Sequence, residues 1–114
     1  MIIPDVSISC DPRDRGKTDT LHYPSVIMEV LSPSTEAYDR GRKFEFYRTC
    51  PTLQEYVLIS SQWQALDVYR RASEKLWTLY PYGPGDQITL HSLDISLSLD
   101  NLYENVILTE DNVL

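Results

Sequence analysis

The sequence predicts an α+β domain built on a mixed, mostly antiparallel sheet with one helix packed against it. Three observations carry that prediction. Short runs with alternating or wholly apolar character recur along the chain, one stretch over residues 35–50 is rich in helix-compatible residues, and Gly, Pro, Ser and Asp clusters separate these segments. At 114 residues the chain has the length of one domain, 1–114. A hydrophobic fraction of 42% and a charged fraction of 24% are ordinary for a globule and exclude a disordered tail. No apolar run approaches the roughly 18 residues of a membrane span. The start Met1-Ile2-Ile3-Pro4-Asp5 also lacks the basic and long apolar regions of a signal peptide, so a cytoplasmic protein away from membranes is expected.

From the N-terminus, Pro4 to Cys10 alternates Asp5, Ser7 and Ser9 against Val6, Ile8 and Cys10, a strand with one apolar face. Cys10 to Tyr23 is crowded with Asp, Arg, Lys and Gly and reads as a solvated loop. Pro24 to Leu31 is apolar on both faces, as a central strand would be, except for Glu29. Ser32-Pro33-Ser34-Thr35 ends that strand and offers capping hydroxyls to a helix over Ala37–Thr49, with Asp39 a second candidate cap and Pro51 the stop. Glu55–Ser60, Ala65–Arg71 and Lys75–Pro81 form an antiparallel meander. After the Gly83-Pro84-Gly85-Asp86 turn come a short strand Gln87–Leu90 and an alternating Leu93–Leu99 run. Asp100 is placed to cap one helical turn, and Glu104–Leu114 returns to apolar residues.

Ten Lys and Arg against seventeen Asp and Glu give a net charge of −7, a field that repels polyanions at long range. The basic residues concentrate on the helix (Arg40, Arg42, Lys43, Arg48) and the first loop (Arg13, Arg15, Lys17). They are either local phosphate contacts or solvated polar faces. Cys10 and Cys50 have no metal-site spacing with His22 and His91, and both read as free thiols. The aromatic residues of the meander, Trp63, Tyr69, Trp77, Tyr80 and Tyr82, read as cross-strand packing.

The chemistry centres on the carboxylate in the apolar strand. If the first two strands pair around the 10–23 loop with Ser9 opposite Ser25, Asp5 falls opposite Glu29 on one sheet face. Two carboxylates about 5 Å apart repel by roughly 3 kcal/mol at an effective dielectric near 20, about two pKa units. A proton, a Lys or Arg, or a divalent cation would offset that. Asp39, Lys43 and Tyr47 fall on one helix stripe at i, i+4 and i+8. Lys43 is then either an exposed partner of Asp39 or a cation aimed at the Asp5 and Glu29 face.

The runs PDV, IMEVLSPSTEAYDRGRKFEFY and LQEYVLIS, continued by DVYRR, GDQITL and LDISLSLDNLY, closely resemble the Uma-two family, a branch of the PD-(D/E)xK restriction-endonuclease-like superfamily. The resemblance implies a restriction-endonuclease-like fold and a metal-dependent endonuclease-like phosphodiester hydrolase acting on DNA. It assigns Asp5 and Glu29 as catalytic ligands of Mg²⁺ or Mn²⁺, the Val30 carbonyl as a third ligand and Lys43 as the catalytic cation. Leu31 occupies the place where the superfamily usually has its lysine, so Lys43 is a migrated replacement. Tyr47, Gln54 and Asp39 are implied as supporting residues. Family members also carry a segment ahead of the PD strand. A chain starting three residues before Pro4 is therefore expected to lack the N-terminal part of the core and to cover its exposed first strand with a second copy as a homo-oligomer, a dimer. The alternative is a non-catalytic interaction module or structural fragment that keeps the fold.

Overall fold

The computed structural model describes residues 4–16, 21–106 and 108. Its main sheet has five strands in spatial order: β1 Val6–Ile8, β2 Val26–Leu31, β3 Glu55–Ser60, β4 Leu66–Arg71 and β5 Trp77–Tyr82. Only β2 and β3 run parallel; the other neighbours are antiparallel. The parallel step follows from the helical connection, because a strand must cross back over the sheet to lie alongside its predecessor. A second, two-stranded antiparallel sheet joins β6 Gln87–Leu90 to β7 Ile95–Ser98, followed by one helical turn, α3 Leu99–Leu102.

The two faces of the main sheet bury different things. Ile27, Leu31, Tyr56 and Leu58 point to the helical side, where Phe44 and Tyr47 cover them. Val26, Val57 and Val68 point to the other side and pack against Ile88, Leu90 and Leu99 of the second sheet and α3. Alternation along each strand makes this division, so the all-apolar runs of β2 and β3 are the signature of a strand covered twice. Each of those two runs also holds one buried carboxylate, Glu29 and Glu55.

The single helix expected over 37–49 is two, α1 Glu36–Arg40 and α2 Arg42–Tyr47. Gly41 breaks it with φ −100° and ψ −93°, and a Cβ there would stand 3.1 Å from the Ala37 carbonyl oxygen. Asp39 is not a cap. It lies inside α1, and the cap position belongs to Thr35, whose hydroxyl accepts the Ser32 N–H at 3.2 Å instead of an α1 amide. Ser98, not Asp100, caps α3 by accepting the Asn101 N–H. The 10–23 loop is not wholly solvated, since a 3-10 turn at Pro12–Asp14 buries the Asp14 carboxylate under Ser9, His22 and Tyr23 donors. The meander strands match their expected places within two residues. Cys10 and Cys50 are free thiols. Most of the expected 104–114 run, and Lys17, lie outside the described residues.

Candidate active site on the helical face of β2

The β1–β2 register pairs Val6 with Met28 and Ile8 with Val26, so its continuation sets Asp5 opposite Glu29, as the loop symmetry predicts. Each acid accepts a backbone N–H from the opposite strand. The Asp5 N–H donates to Glu29 Oε1 at 3.2 Å, and the Val30 N–H donates to Asp5 Oδ2 at 2.8 Å. Asp5 stands at the open sheet edge, while Glu29 is 1% exposed.

Val30 points its side chain to the opposite face, where it is 52% exposed. Its carbonyl is the atom that the family resemblance assigns. In a strand the N–H and C=O of one residue point to the same edge, so the Val30 carbonyl also faces β1. The residue opposite it is Pro4, which has no N–H to donate. Among the described residues, then, Pro4 offers the Val30 carbonyl no ladder hydrogen bond.

Lys43 reaches this point from α2. Its Nζ lies 2.9 Å from Glu29 Oε2 and 3.6 Å from Asp39 Oδ1, with a side chain 13% exposed. Lys43 therefore faces the acid pair, and the exposed-helix alternative does not hold. The Glu29 contact is an ion pair without hydrogen-bond alignment at Oε2, so among the described residues Glu29 has one directed hydrogen bond, from Asp5. Burial pushes the Glu29 carboxyl above its ordinary range despite Lys43 and the Asp5 N–H. Burial opposes the Lys43 charge, but Glu29 outweighs it and the ammonium is held above the usual lysine value.

The remaining expected residues divide. Asp39 is buried beside Lys43. Tyr47 is buried one turn further along α2. Its hydroxyl has no partner among the described residues, and burial followed by the Glu29 charge raises its pKa. Gln54 is not brought to the site: its N–H bonds the Ser25 carbonyl, four residues up the strand from Leu58, the partner of Glu29. That is about 13 Å at 3.3 Å per residue. The basic residues mostly face acids. Arg40 pairs with Glu36 and Asp67, and Arg13 with Asp11 while covering the Tyr23 ring. Tyr69 and Trp77 pack around Phe44, as expected of the meander, whereas Trp63 is 56% exposed.

Sequence reasoning passed over Glu55, although it begins the apolar run YVLI and meets the same criterion that singles out Glu29. It lies on the opposite face, where it accepts the Arg70 Nε–H, the Ser92 hydroxyl and the His91 and Ser92 N–H groups at 2.6–3.1 Å. Burial opposes its charge, yet the Ser92, Arg70 and His91 donors together hold its pKa below the ordinary value.

A family model described as "Putative restriction endonuclease", Uma2, matches residues 1–101. The chain belongs to the Uma2 family. It is 45% identical over 103 residues to an uncharacterized protein of Synechocystis, slr1290, covering 90% of this chain and 54% of that one. A second uncharacterized Synechocystis protein, sll1609, is 45% identical over 56 residues, covering 49% of this chain and 32% of that protein. The chain thus spans about half the length, or less, of these curated relatives. Among solved structures, a nuclease-like protein of Anabaena variabilis, titled a "putative nuclease belonging to DUF820", superposes with a TM-score of 0.58 at 21% identity. It covers 76% of this chain and 48% of that one, a likeness of fold. No helix among the described residues is long and apolar enough to cross a membrane.

Proposed function

We propose that this Uma2 chain is a metal-dependent endonuclease-like phosphodiester hydrolase acting on DNA, with Asp5 and Glu29 as ligands of Mg²⁺ or Mn²⁺ and Lys43 as the catalytic cation. One observation carries the reading: a buried, poorly hydrogen-bonded glutamate is held beside an edge aspartate, with a lysine brought to the same point from another element. The donor set fits a hard divalent ion. Asp5, Glu29 and the Val30 carbonyl offer oxygen alone, and Asp5, Glu29, Asp39 and Lys43 together carry a formal charge of −2. Among the described residues no three His, Cys, Asp or Glu side chains come together as a metal-binding group, so in this reading the ion rests on two carboxylates and a backbone oxygen.

When bound, such an ion polarises a phosphoryl oxygen and makes a bound water more acidic. The protein's own groups do the remaining work. The Lys43 ammonium stabilises negative charge developing on the phosphate, in a site dry enough for that interaction to exceed its value in water. The Val30 N–H fixes the orientation of the Asp5 carboxylate. The Tyr47 hydroxyl is a spare donor on the same side of the sheet.

A second reading, an interaction module without catalysis, is favoured by the charge balance. The net charge is −7, and Arg13 and Arg40 are already spent on acids. Incubating the parent chain, Glu29→Gln and Lys43→Ala with plasmid DNA in Mg²⁺ or Mn²⁺ separates the two. The proposal predicts nicking by the parent alone, with each substitution lowering the rate by about a thousandfold or more. Full activity in Lys43→Ala would remove Lys43 from the mechanism. Binding of metal without cleavage by any form would favour the module.

A further inference from the structure

The Lys43 ammonium has two carboxylate neighbours of unequal distance, Glu29 at 2.9 Å and Asp39 at 3.6 Å. Asp39 is the more distant of the two. It sits in α1, on the far side of the Gly41 break from Lys43, with its side chain 6% exposed. Its place is fixed from the sheet, because the Tyr56 hydroxyl of β3 donates to the Asp39 carbonyl at 2.8 Å. Among the described residues Lys43 is the one cation within 4 Å of its carboxylate; the adjacent Arg40 turns away to Glu36 and Asp67. A buried carboxylate whose cation lies closer to another acid is only partly compensated for its lost hydration.

We propose that Asp39 is the positioning residue of this site, the partner that keeps the Lys43 ammonium in place once a divalent cation has neutralised Glu29. The inference rests on the metal reading above and adds a role for Asp39. The charges sort themselves: a divalent ion with Asp5 and Glu29 is neutral, and Lys43 with Asp39 is neutral. Without Asp39, an ion on Glu29 would cancel the attraction that holds Lys43 and repel it as well, driving the ammonium toward solvent and out of reach of a phosphate. With Asp39 buried one turn back, a shift of under an ångström toward a waiting carboxylate suffices, since the pair already stands at 3.6 Å. A static helix pair would instead be indifferent to metal.

The test is a double-mutant cycle on thermal stability, with parent, Lys43→Met, Asp39→Asn and the double variant each melted with and without saturating Mg²⁺. The coupling between the two positions should grow about twofold or more when Mg²⁺ is present, and Asp39→Glu should retain much of that increase. Coupling that stays constant or falls, in a parent whose melting temperature rises with Mg²⁺, overturns the role of Asp39 and leaves the metal site standing. No Mg²⁺ response in the parent overturns both. Should a variant fail to fold, the intact chain answers the same question, because it contains just three lysines, Lys17, Lys43 and Lys75. On adding Mg²⁺, the Lys43 side-chain NMR signal should shift yet stay distinct from that of exposed Lys75. Convergence on the Lys75 signal would overturn the proposal.

Discussion

Glu29 and Glu55 are the same residue type on adjacent parallel strands, each 1% exposed, and the sheet gives them opposite fates because they point to opposite faces. Glu55 meets four donors, and its charge is favoured despite burial. It works as a clamp: Arg70, bound to Glu55, also donates to the Thr89 carbonyl, and the His91 and Ser92 amides bring the end of β6 onto the main sheet. Glu29 meets one N–H, one ammonium shared with Asp39 and a second carboxylate, and its charge is disfavoured. A carboxylate whose valences are filled by its own chain holds structure together. One left short of donors beside another acid is poised for something from outside.

The comparison breaks most visibly under the same substitution at both places. Glu55→Gln leaves the half-buried Arg70 without its counter-charge and turns an amide toward two N–H donors, so a loss of about 3 kcal/mol is expected. Glu29→Gln keeps an acceptor for the Asp5 N–H and leaves Lys43 to Asp39, so roughly 1 kcal/mol or less is expected. Urea denaturation of the two variants measures the difference, and equal losses would erase the distinction.

The next largest effect is in pH. Glu55 has a folded pKa below its ordinary 4.5, so the unfolded state binds more protons in that window. Its contribution is full above 4.5 and fades as pH falls through the folded value. Glu29 has a folded pKa above 4.5, so the folded state holds its proton longer and stability declines as pH rises from 4.5 through the folded value. Urea midpoints across acidic pH should flatten on the low side in Glu55→Gln. In Glu29→Gln the decline on the rising side should shrink.

The smallest effect concerns Tyr47, whose buried hydroxyl lacks a partner among the described residues. Tyr47→Phe removes that polar atom at nearly constant shape, and a gain of about 1 kcal/mol is expected in denaturation. A loss of that size would mean the hydroxyl is satisfied in the folded protein.

Local pattern made the first two strands legible. Period-two alternation fixed which residues of β1 share a face, and the symmetry of the 10–23 loop then gave the observed β1–β2 register, and with it Asp5 opposite Glu29. The i, i+4 stripe pointed Lys43 at that face even though Gly41 splits the helix, because the break falls between the two turns and leaves Asp39 and Lys43 on one side. Illegible were the features made by distant partners. Nothing near Glu55 announces that the amides of His91 and Ser92, 36 and 37 residues away, will close on it. Likewise the fold of β6 and β7 across the second face depends on contacts with Val26 and Val57 that no local window contains. Gln54 was misplaced because sequence proximity to β3 says nothing about position along the β2–β3 ladder.

Under the proposed function Glu29, and not Glu55, takes the divalent cation, and metal-linked melting separates the two acids. Mg²⁺ or Mn²⁺ at about a hundred times its dissociation constant should stabilise the parent by roughly 2.7 kcal/mol. Glu55→Gln, despite a lower starting melting temperature, is expected to retain this increment in full, while Asp5→Asn reduces it and Glu29→Gln abolishes it. An increment that survives in Glu29→Gln, or that is absent from the folded parent, would contradict a metal site at Glu29.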